Sequence, residues 1–169
     1  MSTTANGTPG GSVSSAVGPE SIPADIIDVS AMADASYADF FAIDTSGGEE
    51  SAETWARLLL EQSSTGRSAP SLWRLLGLRL GPAGSAEHVQ GWRIADRGDS
   101  WIRLETSSWF MTAHAVVRVG RNQVGIALFV RYDHPVASGI WPPVSVLHRR
   151  AVPVMLRQAV GLHGCDSAS

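Results

Sequence analysis

Lysine is missing from this 169-residue chain, and all thirteen basic residues are arginine. Schiff-base chemistry on an amine and the phosphate grip of a P-loop lysine are therefore excluded. Cysteine occurs once, at Cys165, so no internal disulfide can form, and a reducing cytoplasm is the expected location. No apolar run approaches the ~18 residues that a membrane helix needs, so membrane insertion is not expected. Met1 to Ser21 has neither a basic n-region nor an apolar h-region, which argues against a signal peptide. His88, His114, His134, His148 and His163 are far apart and form none of the short-spaced pairs of zinc sites, so no metal is expected. A Gly-x-Ser-x-Gly elbow is missing as well. Gly77-x-x-x-Gly81-x-x-Gly84 follows a helix-like run and no lysine follows it, so it reads as a loop rather than a phosphate cradle. Nothing calls for a cofactor.

What is present suits one domain with tails: 44% hydrophobic residues and a mean hydropathy of +0.03. Charge is unevenly spread. Glu20 to Glu53 holds nine acids and no arginine, whereas Arg57 onward holds thirteen arginines against seven acids. The two halves meet in the fold or are simply solvated, a reading favoured over a partner surface. The arginines are scattered and no reader motif accompanies them, so nucleic-acid binding is not expected. Residues 1–21 are nearly free of large side chains and read as a disordered tail. Residues 22–164 form the domain, and 165–169 a second tail.

Tyr37 to Ile43 reads as a first strand, closed by a turn over Asp44 to Gly48. A helix capped near Ser51 carries Trp55, Leu58, Leu59 and Gln62 at i, i+3, i+4 and i+7, with Glu49, Glu50 and Glu53 at its start. After a break from Ser63 to Pro70, a second helical run covers Ser71 to Leu78. Four strands follow, over 91–94, 101–106, 109–119 and 124–132, giving five in all. Met111, Ala113, Ala115, Val117 and Val119 alternate with Thr112, His114 and Arg118, as in an antiparallel meander with one covered face. The last helix begins at Pro142 or Pro143, with a kink expected at Pro153. Its apolar stripe comprises Val144, Leu147, His148, Ala151 and Met155, with Arg149, Arg150 and Arg157 on the other arc.

Four segments carry a resemblance: Tyr37-Ala38-Asp39-Phe40-Phe41, Leu75-Leu76-Gly77-Leu78, Trp101-Ile102-Arg103-Leu104-Glu105, and Trp141-Pro142-Pro143 through His148-Arg149. In this order the chain resembles the helix-grip fold of the START, Bet v 1 and polyketide-cyclase (SRPBCC) superfamily. Within it, the chain is similar to an uncharacterised domain-of-unknown-function family over residues 25–162. The resemblance implies an α+β fold, a curved antiparallel sheet around a long C-terminal helix, and a habit of binding apolar molecules. Five strands are fewer than that superfamily usually has. A fold alone does not imply an activity.

The expected role is non-covalent binding of a small apolar ligand between sheet and helix. Its walls would be Met111, Val117, Ile126, Leu128, Val144, Leu147 and Met155, with His148 and Tyr132 as polar anchors and Trp141 among the lining residues. His148 has two readings: an acid or base in a water-poor pocket, or a core histidine bonded to a carbonyl or carboxylate. The second carries more weight, because acid–base work needs a second group. Arg103, Glu105 and His114 converge on a ligand if their sheet face is concave, and form a solvated ladder if it is convex. Alternation favours the convex case. Of Trp73, Trp92, Trp101, Trp109 and Trp141, one or two are expected at a pocket. Two rival functions remain: a cyclase- or hydrolase-like enzyme using His148 or His114 with Glu105, and a protein-interaction module with no cavity. Oligomeric state cannot be read from the residues.

Overall fold

The computed structural model describes residues 11–46 and 50–166. Seven antiparallel strands form one curved sheet in the order β1-β2-β7-β6-β5-β4-β3. They are β1 (Val13–Val17), β2 (Tyr37–Asp44), β3 (His88–Val89), β4 (Trp92–Arg97), β5 (Trp101–Ser107), β6 (Met111–Gly120) and β7 (Gln123–Tyr132). The helices are α1 (Ala24–Ser30), α2 (Ala52–Arg57), α3 (Ser64–Leu75) and α4 (Ala137–Asp166). A π-helical turn, Leu58–Gln62, joins α2 to α3. The result is an α+β architecture with a long C-terminal helix.

Two strands are additional to the five expected. β1 lies inside the stretch read as a tail, and pairs with β2 from Val13↔Ile43 to Val17↔Asp39. Small polar residues suffice there because an edge strand is held by backbone bonds on one side. Residues 1–10 of the expected tail lie outside the described residues. β3 has two residues and is closed on β4 by Gln90 and Gly91, both at positive φ, the geometry of a two-residue hairpin. β6 begins at Met111 rather than Trp109, which stands 65% exposed beside Phe110 and His134. At the other end, α4 runs through Cys165 to Asp166, where a tail was expected; residues 167–169 lie outside the described residues.

The sheet is covered on both faces rather than one. On the inner face α2, the π turn, α3 and α4 bury Phe41, Ile43, Ile102, Leu104, Met111 and Val117. On the outer face α1 and its flanks set Ile22, Ile26 and Met32 against Ala38, Val116, Ala127 and Phe129. Two-sided burial explains why Val124 to Val130 is an almost unbroken apolar run. The acidic front and the arginine-rich remainder do meet: Arg97 pairs with Glu53 at 2.7 Å, Arg131 with Asp34 at 3.8 Å, and Arg118 with Asp25.

Helix boundaries differ from those expected at Pro70, Pro142 and Pro143, all of which lie inside helices. α4 begins five residues before Pro142, after His134 accepts from the Val136 N–H and its carbonyl accepts from Ala137. α3 begins at Ser64, with Ser63 Oγ capping the Gly66 N–H at 2.9 Å, and continues through Pro70. Gly66 is required there, since a Cβ would run into the Leu59 and Leu60 carbonyls. Pro70 cannot donate to the Gly66 carbonyl. The Gln90 side-chain amide replaces it, donating to both the Gly66 and Leu60 carbonyls.

Gln90 thus repairs a proline and a π turn together. Gln90→Ala is expected to cost about 2 kcal/mol, at about 1 kcal/mol for each buried carbonyl left unpaired. Chemical denaturation of Gln90→Ala, Pro70→Ala and the double variant checks this. Pro70→Ala returns a backbone N–H to the Gly66 carbonyl, so it should recover part of the loss in the double variant. Strict additivity would refute the compensation.

Candidate functional site

Alternation along β2 sends Ala38, Phe40 and Ala42 toward α1, and Tyr37, Asp39, Phe41 and Ile43 toward α4. Asp39 is therefore a carboxylate in an otherwise apolar row, 1% exposed. Such a group is tolerated only when its oxygens are satisfied. Tyr37 Oη donates to Asp39 Oδ2 at 2.5 Å. From α4, His148 Nε2 donates at 3.2 Å to Oδ2 and 3.3 Å to Oδ1. A carboxylate only accepts, so the contact fixes Nε2 as the protonated ring nitrogen and leaves Nδ1. Burial, then the charge of Asp39 and the hydrogen bond to it, raise the Tyr37 pKa far above the usual tyrosine range. Trp141, 1% exposed, stands edge-on to Tyr37 at 5.5 Å and 6.3 Å from His148. Its indole N–H is buried with no hydrogen-bond partner.

His148 also lines a cavity of about 260 Å³. The floor is the sheet: Trp92 of β4, Ala115 of β6, and Ile126 and Leu128 of β7. One wall is Leu60 of the π turn with Ala69, Leu72 and Trp73 of α3. The other is α4, through Leu147, His148, Ala151, Val152 and Met155. His148 is the single ionisable side chain on these walls; Thr65 and Ser68 add hydroxyls. Trp73 and Trp92 meet edge to face at 5.9 Å. Leu147 is 56% exposed and Ser68 is exposed, so the mouth lies between α3 and α4.

Of the expected wall residues, Ile126, Leu128, Leu147, His148 and Met155 meet at this cavity. Met111 and Val117 are fully buried elsewhere in the inner core, while Val144 and Tyr132 pack against its edge. Trp141 belongs to the Tyr37–His148 cluster rather than to the cavity wall. The buried arc of α4 is Trp141, Ser145, Val152, Met155, Leu156 and Ala159, rotated from the expected stripe so that Leu147 falls on the rim. The tryptophans at the pocket are Trp73 and Trp92.

Arg103, Glu105 and His114 lie on the opposite, outer face of the sheet. Arg103 Nη1 donates to the Val29 carbonyl at 3.0 Å, and His114 Nδ1 lies 2.7 Å from the Ser30 carbonyl. Glu105 holds Arg103 at 3.0 Å and Arg93 at 2.5 Å, with His114 Nε2 at 3.7 Å. Arg103 and His114, held by Glu105, satisfy the Val29 and Ser30 carbonyls at the end of α1, which closes with Ala31 in the left-handed region. They are neither a bare ladder nor a ligand clamp in the inner cavity. A polar cleft of about 380 Å³ borders them, with Arg79, His88 and Thr112 on its rim.

Asp39 went unremarked as a site residue, although a signal was present. At strand spacing, Tyr37-x-Asp39-x-Phe41-x-Ile43 leaves one carboxylate in an apolar row. Among the described residues, no group of three or more His, Cys, Asp and Glu side chains is placed to hold a metal ion. Likewise, no described helix is long and apolar enough to cross a membrane. Neither a family model nor a curated protein matches this chain.

Because the chain has no lysine and two tyrosines, phenol ionisation is open to direct measurement. Both tyrosine pKa values are raised, Tyr132 by burial and Tyr37 by burial and Asp39 together. In Tyr132→Phe, absorbance at 295 nm should show Tyr37 ionising only as the protein unfolds. A folded pKa above the unfolded ~10 gives stability that is complete below that value and lost as pH rises through the folded one. Stability should therefore decline above pH ~10, less steeply in Tyr37→Phe. A phenolate step at pH 10 in folded Tyr132→Phe would contradict the Tyr37–Asp39 bond.

Proposed function

We propose that this chain is a helix-grip domain that holds a small, mostly apolar molecule non-covalently between its sheet and α4, with His148 as the polar anchor. Order of elements and residue motifs support a place among the SRPBCC-type domains: two strands and short helices, then five further antiparallel strands, and last a long C-terminal helix across the inner face of the sheet. One observation carries the functional reading: an apolar cavity of about 260 Å³ whose walls hold a single ionisable side chain. Ligand sites are typically apolar pockets with a few placed polar groups, and this one lies just below their usual range of about 300 to 1,000 Å³. By proportion to the ~150 Å³ cavity that accepts benzene, it suits roughly ten non-hydrogen atoms. We assign the domain to the cytoplasm, with no cofactor.

An acid–base pair of His148 with Glu105 has no geometric support, since the two face opposite sides of the sheet. Within the inner face His148 has Asp39 instead, which favours a held and oriented imidazole. A docking module with a filled core fits less well, given the cavity.

Native mass spectrometry of the purified protein is the test. An adduct of definite mass is expected, and it should vanish in Ala151→Phe, whose ring would fill the space between α3 and α4. Thermal denaturation checks that this variant folds. A bare protein in every preparation, together with no shift in melting temperature on adding small aromatic compounds, would defeat the proposal.

A further inference from the structure

We infer that the cavity selects a phenol-like molecule: a ring-sized apolar body ending in a hydroxyl that donates its hydrogen to His148 Nδ1. This deepens the ligand-binding reading and rests on it. The chemistry follows from the direction of the hydrogen bonds behind the imidazole. Asp39 is 1% exposed and accepts from Tyr37 Oη at 2.5 Å and His148 Nε2 at 3.2 Å. With Nε2 turned to the carboxylate, Nδ1 is the ring nitrogen left over, and in a neutral imidazole that nitrogen carries a lone pair. A ligand that meets His148 from the cavity, on the side away from Asp39, is inferred to meet this acceptor.

That acceptor discriminates among ligand ends. A hydroxyl extends the chain of donors, and each bond in such a chain polarises the next. A carbonyl or ether oxygen would set its lone pairs against that of Nδ1. A carboxylate would bring a second negative charge near Asp39 in an apolar space, where like charges repel strongly. An ammonium group would have no carboxylate on the cavity wall to pair with. The body of the ligand is set by the other walls. Trp73 and Trp92, edge to face at 5.9 Å, favour a flat ring beside them.

The inference is tested by calorimetry at pH 8 with three probes of nearly equal size: 2-naphthol, 2-methoxynaphthalene and naphthalene. The naphthol should bind the wild-type protein about tenfold more tightly than the other two, the effect of one net hydrogen bond. Asp39→Asn can donate to Nε2 and reverse the tautomer, so the preference should fall to threefold or less. His148→Phe should abolish it while naphthalene still binds. The wild-type comparison stands even if a variant fails to fold. Equal affinities for naphthol and naphthalene would overturn the hydroxyl selection and leave the cavity reading intact. Preference for the methyl ether would show that Nδ1 donates, and would overturn it too. Failure of all three probes to bind would defeat both readings.

Discussion

One buried carboxylate organises the inner side of this molecule. Asp39 stands among apolar side chains of β2, and its oxygens are met from two directions, by Tyr37 on the same strand and His148 on α4. Removing either partner leaves a buried charge short of a donor, which is more damaging than the intact cluster is stabilising. Its value therefore lies in position. It sets the rotation and height of α4 over the sheet. Helix α4 contains Pro142, Pro143 and Pro153, so its internal hydrogen bonding is weakened and packing must hold it. Where α4 settles decides which residues border the cavity, since Leu147, His148, Ala151 and Met155 reach it only in this rotation.

The rest of the fold supports that arrangement by the same economy: polar side chains placed at backbone groups that would otherwise lack partners. Gln90 serves the π turn and the proline of α3, keeping the wall opposite α4 in place. Gln158 of α4 accepts from the Thr65 N–H at 3.0 Å and ties the two walls together. Across the sheet, Arg103 and His114 end α1. Histidine thus has two unlike roles on the two faces. His114 is a helix terminator, and His148 links the carboxylate of the strand to the interior space.

The residues disclosed the local features and withheld the distant ones. The β6–β7 hairpin was legible because alternation and a two-residue turn are short-range signals. Ser51 as a helix cap was equally legible, and accepts from the Thr54 N–H at 3.1 Å. β1 was not, because its residues make no apolar pattern and it is specified by its neighbour. Pro70, Pro142 and Pro143 misled in one direction. Each was expected to mark a boundary, and the helices run through all three; at Pro70 the Gln90 amide supplies the bond that proline removes. The placement of His148 on the inner face was readable from its wheel. Its partner was not, for it comes from another element 109 residues away. The cavity depends on the same non-local packing, so Met111 and Val117, two of its seven expected walls, are solid core and Val144 stands at the edge.

That separation has a consequence in time. The chain is made from its N-terminus at about 5 to 20 residues per second. His148 therefore follows Asp39 out of the ribosome by roughly 5 to 20 s. Throughout that interval β2 carries a carboxylate met by Tyr37 of its own strand alone, on a face destined for the interior. The sheet can pair its backbone meanwhile, yet the charge favours water and resists premature closure of that face. The second donor comes only with α4, so the cluster that positions this helix is completed by the part of the chain that is made last.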